Sequence, residues 1–126
     1  LDYLHFQIAW SAILLGLVAG AVIGLFFARD EWLGGYGSWR RRMLRLGHVA
    51  FVGTGLLNLA FAVSIEWMGA GTVVRVASFL LIVGTATMPV VCLVSACWKP
   101  VRHLFFIPVV SLIGAAALCV IGEIVP

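Results

Sequence analysis

The side chains in this chain best suited to hold a metal or a prosthetic group are three histidines, three cysteines and three methionines. His48 and His103 carry the strongest expectation. His48 lies about one turn inside a long apolar run, and His103 opens another that reaches the same side of the membrane. Neutral imidazole is a common ligand of metals and haem iron, and ionisable groups within a membrane span are costly enough to be functional by default. Two histidines at similar depth on parallel helices would hold a b-type haem or bind a quinone head group. His48 would serve as axial ligand or head-group hydrogen-bond partner, and His103 as the second. His103 follows Arg102 at a loop end, where contact with lipid phosphate is its plainer role. His5 sits near the opposite end of the first run and is expected to be a solvated interfacial residue.

A second set lies in the third apolar run. Ser78, Thr85 and Cys92 recur every seven residues and so share one helical face. Met88 precedes Cys92 by one turn, and Cys92 falls at roughly the depth of His48. Soft ligands select Cu(I), which makes Cys92 and Met88 weak candidate metal ligands. Cysteine and methionine are also ordinary core fillers. Pro89 removes a backbone donor and leaves the Thr85 carbonyl without its helical partner. Asn58, mid-run, seeks an interhelical hydrogen bond worth about 1 kcal/mol or less and reads as packing. Ala12, Gly16, Gly20 and Gly24 recur every four residues, an extended small-xxx-small face for close helix packing.

The elements that position these residues follow from composition. Of 126 residues, 63% are hydrophobic and 10% charged, against roughly 25% charged in soluble domains. Four runs, about 3–28, 43–65, 72–98 and 103–124, reach the roughly 20 residues a helix needs to cross a bilayer. They are too long for barrel strands and do not alternate. The expected fold is therefore an all-α integral membrane protein, one transmembrane domain with four helices in an up-down bundle. Connections this short favour antiparallel neighbours and leave no room for an extramembrane domain. Pro100 suits the start of the fourth helix, and Glu66 and Arg75 flank the second turn as an expected ion pair.

Charge sets the expected orientation. Arg29, Arg40, Arg41, Arg42, Arg45, Lys99 and Arg102 fall on one side, with only Arg75 on the other. The positive-inside rule then makes loops 29–42 and 98–102 cytoplasmic and both termini non-cytoplasmic, in a bacterial inner membrane or its equivalent. Because the basic residues flank apolar spans, the net charge of +3 argues for membrane topology and against nucleic-acid binding.

No carboxylate lies mid-span, as a proton-coupled exporter would need. There is no phosphate-binding glycine loop, nucleophile elbow or zinc-protease motif, so catalysis by this chain alone is not expected. The leading expectation is a small four-span subunit of a larger membrane complex, redox or energy-transducing, with other membrane subunits and lipids as partners. One alternative is a self-assembling small channel or transporter that oligomerises through the Gly16/Gly20/Gly24 face and uses the Thr85–Pro89 break as a pathway. Another is a purely structural or lipid-binding accessory subunit.

Overall fold

In a computed structural model, which describes residues 1–124, the chain is all-helical. Its α-helices are α1 (Asp2–Phe27), α2 (Trp39–Met68), α3 (Thr72–Cys97) and α4 (Phe106–Ile124). Four helical segments are long and apolar enough to cross a membrane, the fourth counted from the 3₁₀ segment Lys99–Phe105 that leads into α4. Helix α2 starts four residues earlier than the apolar run predicts. Ser38 is its N-cap, the hydroxyl accepting the Arg41 backbone N–H at 3.3 Å, so the first turn extends back through the arginines. It ends where Gly69 turns to φ +72°, a conformation glycine adopts without a Cβ penalty.

The helices pack in chain order. Each lies antiparallel against the one before it: Gly16 meets Val52 and Gly20 meets His48 across α1–α2, Gly47 meets Cys92 across α2–α3, and Gly84 meets Leu112 across α3–α4. Helices α2 and α4 barely touch, and no comparable contact joins α1 to α4 among the described residues. The up-down arrangement is therefore opened into a row. Phe61, Val74, Ala77, Leu81 and Ala115 form its apolar core, which lies among α2, α3 and α4.

The α1–α2 connection is tied by an unexpected residue. Arg41, 2% exposed, donates from Nη2 to the carbonyls of Phe27 (3.0 Å) and Arg29 (3.1 Å). Those carbonyls lie at the C-terminal end of α1, where helix partners run out and positive charge is favoured. The guanidinium also lies 4.9 Å from the Phe27 ring centroid and 5.4 Å from that of Trp32, a cation–π arrangement. Arg41 thus acts as a cap on the neighbouring helix, beyond the orientation role its charge suggests. Leu33 in this loop holds φ +53°, rare for a residue with a Cβ. Glu66 and Arg75 are both exposed and form no ion pair with each other, contrary to expectation.

Candidate functional site

His48 lies nine residues beyond the start of α2, roughly 14 Å along its axis. That is deeper than the one turn expected, because the helix starts earlier. Its imidazole faces α1. The Nδ1 atom lies 2.7 Å from the Gly16 carbonyl oxygen, and a carbonyl can only accept, so Nδ1 carries the proton. In the neutral ring the Nε2 lone pair is then uncommitted, since Nε2 has no hydrogen-bond partner among the described residues.

Gly20 provides the space for this ring. A Cβ at Gly20 would come within 2.4 Å of Cε1 and 3.0 Å of Nε2. The repeat on α1 is therefore used unevenly. Ala12 and Gly16 are buried, and a Cβ at Gly16 would come within 2.5 Å of the Val52 side chain. Gly20 receives the imidazole, and Gly24 faces open space. From the other helix, Gly55 sits where a Cβ would come within 2.9 Å of the Ala9 carbonyl.

His5 has the opposite surroundings. It is fully buried, where the sequence suggested solvation at the interface. Its Nδ1 lies 2.6 Å from Asn58 Oδ1 and its Nε2 2.8 Å from Ser78 Oγ, with the Phe61 ring edge-on at 4.6 Å between centroids. Directions follow from what each atom can do. The Asn58 amide nitrogen donates to the Thr54 carbonyl (2.8 Å) and to Thr85 Oγ1 (2.7 Å), and the Thr85 hydroxyl donates to the Leu81 carbonyl (2.7 Å). Asn58 Oδ1 must therefore accept from His5 Nδ1–H, which leaves Nε2 to accept from the Ser78 hydroxyl. Every polar side-chain atom in this cluster is satisfied, and the cluster joins α1, α2 and α3. His5 went unrecognised because its partners lie 53 and 73 residues away. The available signal was Asn58, whose buried amide needed a partner on another helix.

The other expected site residues are not gathered around His48. His103 lies on the 3₁₀ segment before α4, exposed, and lines a surface hollow of about 260 Å³ with Lys99, Pro100 and Arg102. His48 faces α1, at the other end of the row, so the two histidines do not share a pocket. Cys92 is fully buried against Gly47 of α2, and Met88 is half-buried a turn away. Among the described residues, no three His, Cys, Asp or Glu side chains cluster closely enough to hold a metal ion. Ser78 and Thr85 serve the His5 network, and Pro89 is buried within an α3 that continues through it.

The donor set therefore reduces to one imidazole with a fixed tautomer and an uncommitted lone pair. A hydrogen bond from the far ring nitrogen to a backbone carbonyl orients a ligating histidine and makes it more basic. This arrangement suits coordination of a metal centre or acceptance of a hydrogen bond from a reduced quinone ring. Comparison with known proteins finds no matching family model, no matching characterised protein and no matching solved structure.

Proposed function

We propose that this chain is a small four-span subunit of a larger membrane complex of the redox or energy-transducing class, and that His48 offers Nε2 to a cofactor shared with a partner subunit. The observation that carries the reading is the His48 Nδ1–H···O=C bond to Gly16 over a glycine-lined seat. A b-type haem is the first choice of cofactor, and a quinone head group the second. Haem would supply one-electron chemistry, and His48 is the residue of this chain that would hold it. Since His103 faces a different surface, any further ligand would come from the partner.

The charge distribution supports placing the 29–42 and 98–102 loops in the cytoplasm and both termini on the opposite side, in a bacterial inner membrane or its equivalent. The channel alternative draws less support. The Gly16 and Gly20 face it would use between copies is filled by α2 of the same chain, and the Thr85 hydroxyl is already bonded within the chain.

The test is an oxidised-minus-reduced absorption spectrum of the native complex containing the full chain. A Soret band that disappears in His48→Ala and returns with added imidazole supports ligation. A cofactor-loaded native complex whose spectrum and quinone content are both unchanged by His48→Ala overturns the reading.

A further inference from the structure

The basic end of the molecule has more positive charge than its own chain neutralises. Around the α1–α2 connection, Arg29 lies 5.8 Å from the Phe26 ring centroid, and Arg45 lies 4.4 Å from that of Tyr36 and 5.9 Å from that of Phe27. Arg41 sits beneath them, buried, its Nη2 on two carbonyls and its Nε without a partner. Asp30 and Glu31 lie in the same loop, yet none of these arginines forms an ion pair among the described residues. Two guanidinium groups, Arg41 and Arg45, share the Phe27 ring. A buried charge beside like charges is unfavourable unless an anion approaches.

We propose that Arg29 and Arg45, backed by the buried charge of Arg41, bind the phosphate of an anionic phospholipid at this end of the bundle. Guanidinium groups match phosphate oxygens in a fork geometry that lysine cannot offer. The adjoining surface selects a lipid over a free phosphate. Phe26, beneath Arg29, is exposed, and so are Leu25 and Val22, which continue along α1 into the apolar span. An acyl chain can follow that strip while the phosphate stays with the arginines. Trp32 and Tyr36 stand at the same level, where amphipathic rings favour the head-group region.

The experiment places the full chain in nanodiscs of phosphatidylcholine with or without phosphatidylglycerol and reads retained lipid by native mass spectrometry. Each arginine near a charged membrane surface is worth about a fivefold change in affinity. Arg29→Gln with Arg45→Gln is therefore expected to weaken phosphatidylglycerol retention roughly twenty-five-fold. Arg75→Gln, at the other end of the spans, leaves it unchanged. Arg29 is exposed, and Arg45 is half-buried with Nη2 donating to the Tyr36 carbonyl at 3.4 Å; both substitutions spare Arg41, and a matched thermal-unfolding curve confirms that the double variant is folded. Equal retention of the two lipids by the parent chain overturns the proposal. So does undiminished phosphatidylglycerol retention in the folded double variant, or competition by millimolar inorganic phosphate that matches the lipid.

Discussion

The two histidines on the α1–α2 seam differ in what their second nitrogen does. His5 commits both nitrogens to side chains on two other helices and is fully buried. His48 commits one nitrogen to a backbone carbonyl and leaves the other uncommitted. A ring held at both ends is a structural clasp, because any ligand would have to break an existing bond. A ring held at one end is oriented and still able to coordinate. Burial alone would have ranked the residues the other way, since the more buried histidine is the one with no chemistry to spare.

The comparison predicts that damage to the clasp costs stability and damage to the seat costs ligation. The largest effect is expected at Asn58. Asn58→Ala removes the acceptor of His5 Nδ1–H and the donor to Thr85 together. Stranded buried polar groups cost about 1–3 kcal/mol each, so a loss of about 3 kcal/mol is expected in reversible denaturant unfolding in mixed micelles. In a double-mutant cycle, His5→Ala and Asn58→Ala should be strongly non-additive; additivity would mean that the two residues do not form one unit. Next comes Gly55→Ala, whose Cβ would meet the Ala9 carbonyl at 2.9 Å and the Ile13 nitrogen at 3.1 Å. Backbone on the facing helix cannot step aside, so about 2 kcal/mol is expected, within the range for overpacking.

Gly20→Ala sharpens the contrast. The atoms nearest its Cβ belong to the His48 ring, which can tilt, so the expected stability loss is about 1 kcal/mol while retention of the proposed cofactor falls as far as in His48→Ala. Retention equal to the parent chain would show that the seat geometry is irrelevant. The smallest stability effect belongs to His48→Ala itself. It removes one hydrogen bond from a half-buried site, about 1 kcal/mol or less in the same unfolding assay. A loss matching that of Asn58→Ala would erase the distinction between the two histidines.

The sequence made some of this legible. Apolar run lengths located all four long apolar helices, with boundaries shifted where caps decide them: Ser38 begins α2 early, and a 3₁₀ segment delays α4 to Phe106. Spacing by four placed Gly16 and Gly20 on one face, and the structure shows that face turned to α2. His5 was not legible, because one turn from a helix end is either interface or core depending on what the neighbouring helices bring to that level. Here they bring Asn58, Ser78 and Phe61. Arg41 was legible as charge but not as a cap, since only the helical phase set by Ser38 separates it from Arg40 and Arg42, both exposed. The expected His48–His103 pair assumed a closed ring of helices; in a row, equal depth does not bring two residues together.

The row also bears on how the protein is made. Its packing contacts run almost entirely between consecutive helices, so each helix can dock on its predecessor as synthesis delivers it. The bond from Ser78 to His5 is one exception, the only side-chain hydrogen bond between α1 and α3 among the described residues. Until α3 is inserted, the first hairpin holds an imidazole with one nitrogen unsatisfied. A nascent chain stalled after α2 should therefore be more protease-sensitive near His5 than one stalled after α3, and equal sensitivity would refute this order. The residue that secures the finished molecule is thus left half-partnered in a chain that ends before α3.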